Sequence, residues 1–311
     1  MKFIFKSCVL LVLLFMSNQV KAQQTTLFNT YLYDPMQLNI AYAADDCSEA
    51  NLNYRNQWIG LKDSPKLYQL NAHTALGKST GAALRLASQQ AGLLNALQAT
   101  IGYGYQIKLN NTSKVLFGIG IGFIQNMLNA QKATVIDAND ATLSDAGKQR
   151  ATGFDSELGV QFLGDKLKAG LSVLHLYNSN PGFAGSSLKT LPQTNATVSF
   201  LFNKGQRVEL EPMLVSRLTV DGDKILEGLF NVRLIKILTV GAGYRSNYGL
   251  LAFVGVKIAK LKIAYSFDYG TSKNKTLTGS SHQILLGFSY CKNRPTKIKK
   301  TKGKKILKSR F

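Results

Sequence analysis

The sequence predicts an all-β fold: a closed antiparallel transmembrane β-barrel of about 14 strands, with short periplasmic turns and longer extracellular loops. The clearest strand runs from Leu261 to Tyr269, where apolar or aromatic residues alternate with small, polar or charged ones. Successive side chains of a strand point to opposite faces, so this strand has one apolar and one polar face. In a membrane barrel the apolar face contacts lipid and the polar face lines the lumen.

Thirteen further segments show the same alternation, which makes fourteen in all. The predicted strands are 50–58, 66–76, 80–88, 95–108, 114–127, 152–163, 166–177, 192–203, 206–217, 223–234, 236–246, 249–258, 260–270 and 281–291. Most of them have the ~9–11 residues that a membrane strand needs. The third and the tenth segments alternate less clearly than the others.

The connections between these segments differ in length in a regular way. Every second one is short, as at Gly77–Ser79, Gly164–Asp165 and Ala259–Lys260. The intervening ones are mostly longer, including Gln89–Leu94 and Leu128–Ala151. Short turns on one rim and long loops on the other are typical of outer-membrane barrels. An even strand count then puts both chain termini on the short-turn side, which we expect to be the periplasm.

The N-terminus predicts export. A charged start, Met1–Lys6, precedes an apolar run from Cys8 to Met16 and a small residue at Ala22, which is the pattern of a secretory signal peptide. A single transmembrane anchor is the alternative, but the run is short of the ~20 residues that span a bilayer. We expect residues 1–22 to be removed.

Two segments flank the predicted barrel, which covers residues 50–291. The arm, residues 23–49, is aromatic and rich in turn residues, and either plugs the lumen or lies under the rim. The tail, residues 292–311, carries ten Lys or Arg and no acid, about half of the net charge of +21. Basic tails often bind nucleic acid, but an exported chain would rarely meet any, so we expect none. Further lysines fall on the short-turn side, either reaching toward lipid headgroups or docking an acidic partner or the cell-wall layer.

The cysteines of the exported chain are Cys47 and Cys291, which bracket the strand-rich region. In a closed barrel the first and last strands are neighbours, so both cysteines lie at one rim. An oxidising compartment allows a disulfide between them; two unrelated thiols are the alternative.

Catalytic and metal-binding patterns are not found, so we expect neither an enzyme nor a cofactor. His73, His175 and His282 lie far apart, and none has a partner at metal-site spacing. Gly118–Gly122 resembles a phosphate loop only superficially, since no helix follows it; strand crowding or lumen packing explains these glycines better. The carboxylate pairs Asp155/Glu157 and Glu209/Glu211 are expected to line the lumen opposite inward Lys or Arg, such as Arg85, Arg233 or Arg245, rather than to catalyse proton transfer.

The arm and the first and last hairpins resemble a known family. Tyr31–Pro35 precedes Asn39–Ala44, and Tyr54–Trp58 contains an Arg-x-Gln-Trp element. The ending, Asp268–Tyr269 with Ser281–Phe288, is similar as well. Together they look like the PorP/SprF family of type IX secretion system outer-membrane proteins of Bacteroidota, over nearly the whole exported chain. Asp34, Ile40, Ala44 and Gln283 depart from the residues usual in that family, and the tail is longer.

The resemblance implies a non-enzymatic barrel in the outer membrane that serves secretion or gliding motility. Its implied partners are ring and motor components of the periplasm, a large secreted adhesin-like cargo protein and outer-membrane lipid. We expect the following residues to contact protein partners: Tyr42, Arg55, Gln57, Trp58, Lys297, Lys299, Lys300, Lys304 and Lys305. Alternatively, Arg55 anchors the end of a strand, and Trp58 belongs to the girdle of aromatic side chains at the membrane interface.

A second class of function remains open from the sequence. The polar, glycine-rich lumen face also suits a passive outer-membrane channel or a transporter of hydrophobic solutes. An open lumen would favour this reading, and a plugged one would disfavour it.

Overall fold

The computed structural model describes residues 28–129, 148–177, 190–271 and 279–291. Two short 3-10 helices, Pro35–Gln37 and Ile40–Ala44, precede fourteen strands. The strands are β1 Cys47–Asn56, β2 Lys66–Ala75, β3 Thr80–Ala91, β4 Leu94–Lys108, β5 Lys114–Asn129, β6 Lys148–Leu163, β7 Leu167–Leu174, β8 Gln193–Phe200, β9 Val208–Thr219, β10 Lys224–Leu234, β11 Leu238–Arg245, β12 Gly249–Ile258, β13 Leu261–Gly270 and β14 Ser281–Cys291. Within these ranges no helix combines the length and the apolar character that crossing a membrane requires.

The strands form one closed antiparallel barrel, in which each pairs with its sequence neighbours and β1 pairs with β14. The predicted fold class is therefore confirmed. Both ends of the barrel wall, Cys47 and Cys291, lie on the rim that also carries the turns 76–79, 109–113, 164–166, 201–207, 235–237 and 259–260. We call this the short-turn rim and the opposite one the long-loop rim.

Burial in the barrel is inverted relative to a soluble protein. Large apolar side chains on the outer face are exposed, for example Leu52 at 51% and Ile101 at 62%. Polar and charged side chains of the opposite parity, such as Asn53 and Arg245, are fully buried. Exposed apolar residues on this scale would promote aggregation in water, whereas in a bilayer they contact lipid. The inverted pattern is what a transmembrane barrel requires.

The long-loop rim differs from the prediction at one connection. The segment Gln89–Leu94, predicted as a long loop, is almost all strand, because the β3–β4 ladder continues to the pair Ala91 and Leu94. Only Gly92 and Leu93 connect the two strands, and Gly92 has the positive φ of +58° that suits a two-residue hairpin. The connections 220–223 and 246–248 are also short. Residues 130–147, 178–189 and 272–278, which belong to other predicted loops, fall outside the described residues.

The boundary between arm and barrel also differs. β1 begins at Cys47 rather than at residue 50, because Cys47, Ser48 and Glu49 already pair with the end of β14. Cys47 and Cys291 are directly opposed in this ladder, and their sulfur atoms are bonded in the structure. The bond joins the first and last strands where the barrel closes.

Replacing both cysteines by serine is expected to leave the barrel folded but to lower its free energy of unfolding by about 2–4 kcal/mol, because the cross-link restricts the unfolded chain. Urea unfolding of the purified barrel in lipid vesicles measures this. The single variants Cys47→Ser and Cys291→Ser are the controls and should match the double variant. Equal stability of the wild type with and without reductant would contradict the prediction.

Candidate functional site

The arm runs through the lumen from one end of the barrel to the other. At its start, the Phe28 carbonyl oxygen accepts a hydrogen bond from Arg217, two residues before the long-loop end of β9. At its end, Asp45 and Asp46 bind Lys114, the first residue of β5 on the short-turn rim. Of the two positions that the sequence left open, the arm therefore occupies the lumen, and we call residues 28–46 the plug. The predicted signal peptide, residues 1–22, lies outside the described residues.

Local sequence explains the compact shape of the plug. Pro35 begins the first 3-10 helix, where its fixed φ and missing N–H are tolerated. Asn39 caps the second helix, since its side-chain oxygen accepts from the Ala41 N–H at 2.9 Å. The small residues Ala41, Ala43 and Ala44 follow, and all three are buried. Small side chains let this part of the plug approach the barrel wall closely.

Glycines in the wall make that approach possible. A Cβ atom on Gly118 would lie 2.6 Å from the Ala41 Cα atom, and one on Gly81 would lie 1.9 Å from the Ala43 carbonyl oxygen. No side chain fits at such distances from backbone atoms. The interpretation of the glycines in Gly118–Gly122 as lumen-packing residues is confirmed at Gly118, since it packs directly against the plug.

A buried network of charges binds the start of the plug to the wall. Asp268 pairs with Arg55 at 2.5 Å and with Arg245 at 3.4 Å. Glu227 pairs with Arg245 at 3.0 Å and with Arg217 at 3.2 Å. From the plug, the Asn29 amide donates to Asp268 and accepts from Arg245. We call these five charged residues the arginine network; without its carboxylates, the desolvation cost of its buried arginines would be prohibitive.

Three of the four predicted carboxylates have an arginine partner in the lumen, whereas Asp155 lies 3.0 Å from the His175 Nδ1 atom and accepts a hydrogen bond from Gln98. Glu157 pairs with Arg85 at 2.6 Å, and Arg85 also donates to the Met36 carbonyl oxygen of the plug. Glu209 and Glu211 both pair with Arg233 at 2.9 Å. Arg245 instead belongs to the arginine network. The Glu157–Arg85 pair therefore links the wall to the plug, whereas the pairs of Glu209 and Glu211 join strands of the wall to each other.

Between the plug and the wall, a cavity of about 240 Å³ lies in the half of the lumen nearer the short-turn rim. Tyr42 and Leu38 of the plug line one side, and Met213, Lys168 and Glu211 of the wall line the other. The Lys168 ammonium group donates to Glu211 at 2.7 Å. An apolar floor with paired charges at its edge is a surface that a protein side chain could enter from the short-turn side.

The end of the plug is fixed at the same rim by Lys114. Its ammonium group lies 2.6 Å from an Asp45 carboxylate oxygen and 3.0 Å from one of Asp46. Partial burial raises the pKa of Asp46, but hydrogen bonds from Gln106 and Lys114 outweigh it and hold that pKa below its usual value. Asp46 therefore stays charged at neutral pH, and its contribution to stability would be lost only as the pH falls through that lowered pKa.

The four partner-binding residues predicted outside the tail do not form one site. Tyr42 lines the cavity near the short-turn rim. Arg55 and Gln57 are buried near the other end of β1, and Arg55 is fully enclosed in the arginine network. Trp58 follows on the long-loop rim with a φ of +54°, and its backbone N–H donates a hydrogen bond to the Ser281 hydroxyl oxygen. Arg55 therefore acts as an internal anchor, and only Tyr42 and Trp58 are partly accessible.

The five predicted tail lysines (Lys297, Lys299, Lys300, Lys304 and Lys305) lie outside the described residues. The short-turn rim also carries four exposed cations that form no ion pair within the described part of the chain. They are Arg207, Lys236, Lys257 and Lys260. We call these four the rim cations.

Sequence reasoning missed Asn29, Arg217 and Glu227. Each is polar, and the two wall residues lie on the lumen-facing parity of their strands. That parity was a usable signal for lumen burial, but it carries no information about which strands meet across the lumen. The described residues contain no cluster of His, Cys, Asp and Glu side chains suited to a metal ion.

A family model described as "Type IX secretion system membrane protein PorP/SprF" matches residues 20–288. No curated protein matches the chain significantly.

Several solved barrels are similar to the chain at low identity. A Pseudomonas putida toluene transporter, TodX, is 13% identical over 82% of this chain and 93% of its own, with a TM-score of 0.49. A Pseudomonas aeruginosa FadL homologue is 11% identical over 81% and 92%, with a TM-score of 0.49. The KdgM porin is 9% identical over 78% and 98%, with a TM-score of 0.37. Similarity at this level says nothing about what the chain does.

Proposed function

The chain belongs to the PorP/SprF family of type IX secretion system membrane proteins, and from that premise we propose that it is a non-enzymatic component of this system. In this role it assists export, or anchors a secreted adhesin-like protein at the cell surface, and it contacts ring or motor components from its short-turn rim. The observation that carries the proposal is a plugged outer-membrane barrel whose short-turn rim carries exposed cations without ion pairs among the described residues.

The plugged lumen supports a scaffolding role over a passive channel. Lumen-facing side chains of the wall, including Asn53, Asn71, Glu157 and Gln283, are almost fully buried against the plug or against each other. A water-filled pore would leave such side chains exposed. We expect the purified barrel to be silent in planar bilayers, and steady single-channel conductance by the wild type would favour the channel reading.

The short-turn rim supports docking of an acidic partner. The rim cations keep their charges free of ion pairs among the described residues. Lys260 also lies over the ring of Tyr290 at 4.8 Å, which holds its charge at the edge of the barrel. Complementary charges raise the rate of encounter and suppress wrong partners more than they raise affinity.

A charge-reversal experiment tests this role in cells. Arg207→Glu with Lys236→Glu and Lys257→Glu, introduced into a strain that lacks the wild-type gene, is expected to abolish surface display of secreted cargo. The matched control reverses three exposed lysines near the other rim, Lys66, Lys148 and Lys224, and should retain display. Normal display by the short-turn variant, at wild-type barrel levels, would overturn the proposed docking.

The tail provides a second test of the same rim. Removing residues 292–311 is expected to weaken co-purification with periplasmic ring components while leaving membrane insertion intact, because the deletion removes ten cations and leaves all fourteen described strands in place. Unchanged co-purification by the truncated barrel would exclude the tail from docking.

A further inference from the structure

The first described residues of the plug are bound close to the long-loop rim. The Asn29 side chain contacts Asp268 and Arg245, which lie within two residues of the long-loop ends of β13 and β11. Its backbone N–H donates to the Gln283 side-chain oxygen at 2.8 Å, two residues after the beginning of β14. The described part of the plug therefore begins, at Phe28, in the long-loop half of the lumen.

Later residues of the plug contact the wall progressively closer to the short-turn rim. The Asn39 side chain donates to the Val160 carbonyl oxygen at 2.9 Å, three residues before the short-turn end of β6. Ala43 lies against Gly81, one residue after the short-turn end of β3. β1 then begins at Cys47 on the short-turn rim itself. The plug thus crosses the lumen once, from the long-loop side to the short-turn side.

This crossing changes the position expected for the N-terminus. Strand number alone would put both chain ends on the short-turn side, but the plug adds one more crossing. Cleavage after Ala22 would leave five residues before Phe28, and five residues span at most about 18 Å.

A return to the short-turn rim is longer than that. Arg217, which binds the start of the plug, is nine residues from the short-turn end of β9 at Val208. Nine residues measure about 30 Å along a strand, or more than about 20 Å along the axis of a barrel with strands tilted by 35–45°. Five residues do not cover this distance.

We propose that the chain enters the lumen from the long-loop side, so that the N-terminus left by signal-peptide removal lies across the membrane from the short turns. An uncleaved leader, held in the inner membrane by its apolar run, would keep the residues before Phe28 on the short-turn side. Removal of the leader must therefore precede closure of the barrel around the plug, which couples processing of the chain to sealing of the lumen. This inference does not depend on the proposed role in secretion.

Retention of the leader tests the order of these events. Ala22→Phe removes the small residue that the predicted cut site needs. A barrel whose mass shows that the leader is still attached is expected to lack the plug in its lumen, so it should conduct ions in planar bilayers and unfold at lower urea concentrations than the wild type. Lys21→Gln keeps Ala22 and is the control, which should be silent. A leader-bearing barrel that is silent and as stable as the wild type would overturn this order.

Thiol labelling in intact cells tests where the N-terminus lies. The processed chain has two cysteines, Cys47 and Cys291, and they are bonded to each other, so Gln24→Cys introduces a single free thiol. We expect a membrane-impermeant maleimide to label this thiol in intact cells, as it should label Lys62→Cys in the exposed connection between β1 and β2 on the long-loop rim. Asn111→Cys, in the exposed short turn between β4 and β5, should be labelled only after the outer membrane is permeabilised.

The comparison among the three thiols holds whichever way the barrel is oriented in the membrane. If Gln24→Cys is labelled under the same conditions as Lys62→Cys, the N-terminus lies on the long-loop side. If it is labelled only together with Asn111→Cys, or only after the barrel is unfolded, the proposal is overturned, while the proposed docking at the short-turn rim is unaffected.

Discussion

Replacing Gly118 by valine is expected to displace the plug or to prevent folding. The new Cβ would lie within 2.6 Å of the Ala41 backbone, where no flexible side chain is available to move. Overpacking of a core costs typically 1–3 kcal/mol, and we expect about 3 kcal/mol or more here because backbone atoms must shift. Urea unfolding and heat-dependent gel mobility of the purified barrel measure the loss.

The matched control for this prediction is Gly228→Val on β10. A Cβ at Gly228 meets only the Leu214 side chain at 3.6 Å, which is ordinary contact. That variant should unfold like the wild type. If Gly118→Val folds with a displaced plug, it should also conduct ions in planar bilayers, whereas wild-type stability together with a silent lumen would show that the plug is not packed on Gly118.

Replacing Asp268 by asparagine is expected to destabilise the barrel by about 3–5 kcal/mol, because it leaves buried positive charge without its partner. Arg55 and Arg245 both pair with this carboxylate, and Asn29 of the plug donates to it. Glu227 would remain as the only carboxylate of the arginine network, which contains three arginines. The change in free energy of unfolding in lipid vesicles measures this effect.

Two controls support the interpretation of that result. Asp165→Asn breaks an ion pair with Lys204 in which both side chains are nearly half exposed, and should leave the free energy of unfolding almost unchanged. Combining Asp268→Asn with Arg55→Met should cost less than the sum of the two single changes, since the second removes a charge that the first leaves unpaired. Strict additivity, or a small effect of Asp268→Asn alone, would refute the network as an anchor of the plug.

The sequence by itself determined the barrel. Alternation fixes which face of each strand is apolar, and the period of two leaves no ambiguity in segments such as Leu261–Tyr269. Neighbouring strands pair in sequence order, so strand count and closure followed from local pattern alone. The prediction was wrong at Gln89–Leu94, which it assigned to a loop between two alternating segments and which is almost all part of the β3–β4 ladder.

Only the tertiary structure decided what fills the barrel. No local pattern states that residues 28–46 traverse the lumen, that Ala41 meets Gly118, or that Arg55 meets Asp268. These contacts join residues far apart in the chain, and their geometry exists only once the wall has closed around the plug. The period of two predicts whether each side chain lies in an apolar or a polar environment. Which residue it contacts depends on distances across the lumen, and those distances are set only when the barrel closes.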